Sequence, residues 1–118
     1  MLRVRNHSLG LAIGLIFCLI WPAVGNALTA RDKYYSAQNC YNHLKQNPKK
    51  QKYRDNWLRC IDKFKAVYRH DPSGPWAAAG LYMTGQLYQA LYKRSYKASD
   101  QKEALDSYER IVKRYPQS

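Results

Sequence analysis

The sequence predicts an all-α protein of four helices, arranged as two antiparallel hairpins stacked in a helical-repeat solenoid behind an N-terminal signal segment. Three observations support this fold class. After Leu28 no segment alternates with the period of a β-strand, and apolar residues instead recur at helical spacing in four stretches. In addition, the second and fourth stretches align with each other at a constant offset of 44 residues, which is typical of a repeat protein.

Residues 1–27 have the composition of a secretory signal peptide. Two arginines precede an apolar run from Leu9 to Val24, and the small residues Gly25 and Ala27 stand where a signal peptidase would need them. We therefore expect cleavage after Ala27 and export to the periplasm or cell envelope. An uncleaved membrane anchor is the alternative, although the run is short for a bilayer, which needs about 20 apolar residues.

Four apolar periodicities predict the four helices in chain order. Apolar positions recur at i, i+3, i+4 and i+7 within 34–44, 57–68, 81–92 and 104–115. Turn-forming stretches separate them, with sequences NPKK, DPSGP and KAS. The predicted start signals are a capping-box pair of Thr29 and Asp32, Pro75 in a first helical turn, and Asp100 with Glu103 capping the last helix.

The repeat becomes visible when residues 60–72 are set above residues 104–116. Equivalent positions have similar side chains, and the repeat-defining pairs are Cys60 with Ala104, Phe64 with Tyr108, Val67 with Ile111, and Pro72 with Pro116. We therefore predict two units, at about 29–72 and 75–116, within one domain that spans 28–118.

The turns also predict which residues face each other, because contacting positions of an antiparallel hairpin share a constant index sum. A turn near residue 50 places Tyr41 opposite Cys60. A turn near residue 98 places Tyr88 opposite Tyr108 and Gly85 opposite Ile111. Large residues would then meet small ones, which favours close helix packing.

The second unit resembles a tetratricopeptide repeat. Gly85 and Tyr88 match the Gly-x-x-Tyr of the first helix, and the second helix matches at Ala104, Tyr108 and the closing Pro116. The chain departs from that pattern in two ways: the helices are longer by about two turns, and Val67 and Ile111 replace a small residue.

More narrowly, the stretches 49–80 and 91–116 resemble the helical region that precedes the catalytic domain of secreted bacterial N-acetylmuramoyl-L-alanine amidases. This resemblance implies a module that docks or positions a peptidoglycan amidase in cell-wall remodelling. It also implies that the hydrolytic zinc chemistry resides in another domain.

The residue inventory indicates that this chain is not itself an enzyme. A catalytic zinc needs about three protein ligands and an open position. After the signal segment the only histidines are His43 and His70, at opposite ends of the first predicted hairpin, and Glu103 and Glu109 form no metal-binding motif. Nucleophile motifs and phosphate-binding loops are absent from the sequence. We therefore expect neither a catalytic site nor a metal or other cofactor.

Cys40 and Cys60 leave open whether the domain contains a disulfide. They fall almost opposite each other in the first predicted hairpin, and export permits oxidation. However, Cys60 occupies the slot that Ala104 fills in the second unit. A bridge also needs Cα atoms within about 7 Å, whereas packed helix axes lie roughly 8–10 Å apart. These arguments favour two packed thiols, with a disulfide as the alternative.

Charge and tyrosine content indicate a possible partner-binding surface. The chain has 20 basic and 8 acidic residues, a net charge of +12, and 11 tyrosines. After export the acidic partners of such a protein are envelope polymers such as peptidoglycan, membrane lipids or acidic proteins rather than nucleic acid. The residues we expect to form this surface are Tyr35, Tyr82, Tyr96, Lys93, Arg94 and Lys97, with a second exposed basic group at Lys49, Lys50 and Lys52. The alternative is a basic rim that only keeps the domain soluble.

Two functions remain open from the sequence. The chain is either the N-terminal part or companion of a peptidoglycan amidase, or a stand-alone envelope adaptor for an acidic protein or anionic polymer. Repeat stacks generally need about three units to bury a continuous core, and here there are two. We therefore expect a downstream domain, a protein partner or self-association to cover the exposed repeat end, and Pro116, aligned with Pro72, to close a unit that a third one follows.

Overall fold

The computed structural model describes residues 28–118, and over that range the protein is all-helical. Four α-helices follow one another, and a short 3₁₀ turn at Lys50–Lys52 lies between the first two. The helices are α1 (Ala30–Lys45), α2 (Arg54–His70), α3 (Ala77–Ser95) and α4 (Ala98–Arg114). Residues 28–118 contain no β-strand. The all-α class and the four predicted helices are therefore confirmed, whereas the signal segment and its cleavage site after Ala27 lie outside the described residues.

The capping box at the start of α1 is confirmed. The Thr29 hydroxyl accepts a hydrogen bond from the Asp32 backbone N–H at 3.1 Å, and the Asp32 carboxylate accepts one from the Thr29 N–H at 3.2 Å. The same hydrogen bonds lower the pKa of Asp32. At the other end of α1, the side-chain amide of Gln51 donates to the carbonyls of Leu44 and Lys45, each at 3.0 Å. Both ends of the helix therefore have partners for groups that lack an intrahelical bond.

Each helix packs mainly against the next one in sequence. Aromatic and aliphatic side chains of α1, α2 and α3 form the core, with Phe64, Ile61, Leu87 and Val67 among its fully buried members. The helices α2 and α3 approach closely at Gly80, because a Cβ there would lie 3.0 Å from the Phe64 carbonyl oxygen and from Val67 Cβ. Since α3 begins at Ala77, Pro75 lies in the preceding turn and not, as predicted, in the first helical turn.

The predicted register of the second hairpin is wrong by about one helical turn. A Cβ on Gly85 would lie 2.6 Å from the Tyr108 ring, so Gly85 faces Tyr108 and not Ile111. Tyr88 is not opposite Tyr108 either: it points toward α2, where the Lys65 ammonium donates to its hydroxyl at 2.9 Å. The cause is the turn, which is centred on Tyr96 and Lys97 and so is shorter than the sequence indicates.

The predicted capping role of Asp100 is also wrong. Helix α4 begins at Ala98 with Lys97 as its N-cap residue, so Asp100 lies in the first turn. Its side chain is buried and pairs with α2 instead of capping α4.

Cys40 and Cys60 form a disulfide that joins α1 to α2. The preference for two packed thiols is therefore wrong. The Cα atoms of facing residues are closer together than the helix axes, because each lies about 2.3 Å off its axis toward the other helix. The two Cα atoms are 5.5 Å apart, which a disulfide spans.

The 44-residue offset appears directly in the helices. Both α2 and α4 have 17 residues, and their first and last residues are each 44 positions apart. Cys60 and Ala104 occupy equivalent positions of these helices, and both are buried. At the next position the equivalence ends: Ile61 is fully buried, whereas its counterpart Leu105 is 61% exposed. Within residues 28–118 no helix covers the face of α4 that carries Leu105.

Candidate functional site

The six residues of the predicted binding surface do not form one surface but lie at three separate places in the structure. Tyr35 lies at the open end of the first hairpin, with its ring centroid 5.7 Å from that of Trp76. Arg94 and Lys97 face α2. The other three members, Lys93, Tyr82 and Tyr96, lie along the junction of α3 and α4.

The second of these places is a depression of about 290 Å³ between the 3₁₀ turn, the start of α2 and the end of α3. We call it the basic cleft. Four cationic side chains line it, together with Trp57 and Leu91: they are Lys52, Arg54, Arg94 and Lys97. The structure therefore brings Lys52, from the predicted basic group at 49–52, beside Arg94 and Lys97 from the other group.

Trp57 forms the apolar wall of the basic cleft and fixes its shape. The indole N–H donates to the Gln51 carbonyl at 2.9 Å. The Arg94 guanidinium lies 5.5 Å from the Trp57 ring centroid and donates to the Gln51 side-chain oxygen at 2.5 Å. The cation–π contact and the hydrogen bond together hold Arg94 at the rim of the cleft.

Arg54 is the one cation of the cleft whose charge is compensated. Its guanidinium makes a two-pronged hydrogen bond to Asp100, at 2.7 and 2.6 Å, and the Ser95 hydroxyl donates to the same carboxylate at 2.6 Å. The hydrogen bond from Arg54 lowers the pKa of Asp100, and the same contact raises the pKa of Arg54. This cluster ties the start of α2 to the start of α4, and two of its members, Arg54 and Ser95, line the cleft.

Three cations of the basic cleft remain available to a ligand. Among residues 28–118, no carboxylate forms an ion pair with Lys52, Arg94 or Lys97. Ammonium and guanidinium groups bind carboxylates and phosphates through short, charge-assisted hydrogen bonds. The arrangement is thus suited to an anionic group that inserts beside an aromatic wall.

Trp57 and Arg54 are members of this cleft that the sequence did not predict. The helical spacing of apolar residues predicts that Trp57 belongs to the core. Trp57 is indeed buried, but it also lines the cleft. Arg54 carries no local signal of its role, because its partner Asp100 is 46 residues away. The packing of α2 on α3 brings these groups together.

The third place is a groove of about 240 Å³ along the junction of α3 and α4, which we call the tyrosine groove. Tyr92, Tyr108 and Leu105 form its apolar surface, and Gln89, Gln101 and Lys93 provide polar groups. Two further rings extend it: Tyr82 lies 6.1 Å from Tyr108, and Tyr96 lies 6.4 Å from Tyr92, measured between ring centroids. Lys93 is the only charged residue that lines it.

Tyr96 has an unusual backbone at the end of this groove. It is the C-cap of α3 and adopts φ 54°, which makes it the one non-glycine residue with positive φ in the described chain. Glycine is the usual residue in this conformation, because a Cβ there is unfavourable. The ring is nevertheless 80% exposed, so burial does not offset the backbone cost.

Residues 28–118 contain no group of three potential metal-ligating side chains. None of the helices in this range combines the length and apolarity needed to cross a membrane.

The chain matches no protein-family model, and it shows no significant similarity to a curated protein or to a solved structure.

Proposed function

We propose that this chain is an exported, non-catalytic interaction module that binds an anionic group of an envelope polymer or of an acidic protein in the basic cleft. The observation that carries this proposal is the convergence of Lys52, Arg94 and Lys97 on one depression walled by Trp57. An export signal in residues 1–27 would place the module where such polymers occur.

The tetratricopeptide-like stacking belongs to the same proposal. It is supported by the equal lengths and the 44-residue offset of α2 and α4, and by the shared burial of Cys60 and Ala104. Repeat proteins of this type act through grooves between their helices, which is also how the basic cleft is built.

The amidase context rests on the resemblance of residues 49–80 and 91–116 to the helical region of secreted amidases. In that setting the module would hold a catalytic domain against its polymer. The stand-alone adaptor differs from it in one observable, namely what the genomic reading frame encodes after Ser118. A zinc-amidase domain in frame or immediately downstream supports the amidase setting, and a stop codon with no amidase nearby removes it.

Retention on purified peptidoglycan tests the basic cleft. We expect the wild-type protein to be retained at about 20 mM salt and released at about 500 mM, because contacts between exposed charges are screened over a Debye length that shortens with salt. The triple variant Lys52→Glu/Arg94→Glu/Lys97→Glu should bind at least about tenfold more weakly, since three favourable contacts become repulsive.

A charge-matched control separates the cleft from net charge alone. The variant Lys33→Glu/Lys63→Glu/Arg69→Glu makes the same change in total charge on the first hairpin, away from the cleft. Equal retention of the two variants would rule out the basic cleft as the binding site. Hydrolysis of muramyl peptides by purified residues 28–118 would disprove the non-catalytic assignment.

A further inference from the structure

The tyrosine groove differs in chemistry from the rest of this basic domain. Of the seven residues that line it, four are apolar or aromatic, two are neutral amides and only Lys93 is charged; the first six are Tyr92, Tyr108, Leu105, Ala104, Gln89 and Gln101. A site of this kind has little attraction for an anion. It offers ring faces together with neutral hydrogen-bonding groups, and it is separate from the basic cleft, which lies between α2 and α3.

The polar groups of the groove are held in place by one another. The Gln86 amide donates to the Tyr108 hydroxyl at 2.8 Å, and that hydroxyl donates to the Gln89 side-chain oxygen at 3.2 Å. These bonds fix the plane of the Tyr108 ring. They also orient the Gln89 amide so that its nitrogen remains a hydrogen-bond donor for a ligand.

Tyr96 extends the apolar surface at the cost of an unfavourable backbone. Its ring lies edge-on to Tyr92, 6.4 Å away, and is otherwise exposed. Backbone strain of this kind is concentrated at functional sites. An exposed aromatic side chain at a position that suits glycine is therefore an indication of a ligand contact.

We propose that the tyrosine groove binds a segment of neutral glycan, with Tyr96 as a stacking residue at its end and Gln89 as a hydrogen-bond donor to a hydroxyl or amide of the sugar. A sugar ring has an apolar C–H face and a periphery of hydroxyl groups, which match aromatic faces bordered by amides. The proposal goes beyond the basic cleft, because it requires no charge on the ligand.

Calorimetric titration of the protein with two neutral hexasaccharides, chitohexaose and cellohexaose, tests this site. We expect one of them to bind, and Tyr96→Gly to weaken the binding by about tenfold, because a ring contact is lost. Thermal stability should stay equal or rise in the same variant, because glycine accommodates φ 54° without strain. Gln89→Ala should weaken binding as well, which gives a second variant that leaves the backbone of the turn intact.

Two controls distinguish this site from a general effect of tyrosines and from the basic cleft. Tyr53→Ala removes a ring that is 66% exposed outside the groove, and Lys52→Glu alters the cleft. Both should bind the hexasaccharide as the wild type does. Failure of the wild type to bind either hexasaccharide overturns the proposal, and so does unchanged binding by both Tyr96→Gly and Gln89→Ala. Neither result bears on retention by the cleft, which is measured with an anionic polymer.

Discussion

Asp100 is the residue whose environment most clearly joins the two hairpins. Its side chain is 2% exposed, and the carboxylate accepts hydrogen bonds from Arg54 and from Ser95. Burial of a carboxylate is unfavourable unless it is paired, and the two-pronged contact with a guanidinium is among the strongest pairings that proteins use. This buried charge joins the start of α2 to the start of α4, and contacts of Arg110 and Arg114 with Tyr68 join their other ends.

Asp100→Asn should lower the free energy of unfolding by about 2 kcal/mol at pH 7, because the Arg54 charge loses its partner. The folded-state pKa of Asp100 lies below its ordinary value. Its stabilisation is therefore complete above the unfolded pKa of about 3.9 and is lost as the pH falls through the folded-state pKa. Urea unfolding at pH 7 and at pH 3 should show a difference from the wild type that is larger at pH 7 than at pH 3.

The matched control is Asp62→Asn, which removes an exposed carboxylate of α2 and makes the same change in charge. It should leave the urea midpoint within about 0.5 kcal/mol of the wild type. If Asp100→Asn were equally silent at pH 7, the buried pair would not stabilise the junction.

Residue roles of this kind were the least predictable from sequence. Thr29 and Asp32 cap a helix within four positions of chain, so local sequence predicted them correctly. The pattern at Asp100 and Glu103 looks the same locally, yet a partner 46 residues away determines what Asp100 does. Contacts that depend on tertiary packing leave no local signature.

At the scale of elements, the first hairpin is joined covalently and the second is not. The Cys40–Cys60 disulfide links α1 to α2 across a sequence separation of 20 residues. A cross-link restricts the unfolded chain by closing a loop, and the stabilisation grows with the length of that loop. The α3–α4 hairpin relies on packing at Gly85 and Tyr108 and on its short turn.

Replacement of both cysteines by alanine should lower the free energy of unfolding by about 3 kcal/mol, the loop-closure value for a loop of this size. The position of α4 equivalent to Cys60 is the buried Ala104, so an alanine at residue 60 should leave only a small cavity. Denaturant unfolding of the wild type with and without a phosphine reductant measures the same quantity independently. Wild type and variant should coincide under reduction, and insensitivity of the wild type to the reductant would contradict the prediction.

Elements were more predictable than residues, because hydrophobic periodicity is a local property. All four helices fall where the apolar spacing places them. The register of the second hairpin was predicted wrongly because the turn was placed at 97–99, whereas the helices are connected by Tyr96 and Lys97 alone. So short a turn requires Tyr96 to adopt the left-handed conformation, which the sequence does not indicate for a tyrosine.

For the whole molecule, one pair of positions 44 residues apart in α2 and α4 has opposite environments. Ile61 and Leu105 occupy the same place in two helices of equal length, but the first is fully buried and the second is exposed. The tertiary surroundings of a helix, and not its hydrophobic pattern alone, therefore decide whether an apolar residue contributes to the core.

Ile61→Ala should lower the free energy of unfolding by about 2–5 kcal/mol, as expected for a buried aliphatic residue. Leu105→Ala should change it by less than about 0.5 kcal/mol, as expected for an exposed one. Thermal or urea unfolding of both variants measures the difference. A large loss for Leu105→Ala would mean that another chain or a second copy covers α4 in solution, and dilution of the sample would then reduce the loss.

The disulfide also has a consequence for how the protein withstands proteolysis. Lys45, Lys49, Lys50 and Lys52 lie within the stretch of chain that the Cys40–Cys60 bond encloses, and all four are exposed to solvent. A trypsin-like protease that cuts there would leave both fragments attached through sulfur. A nicked molecule would migrate as one species on a non-reducing gel and as two after reduction, and its α1 helix would remain tethered to the rest of the domain.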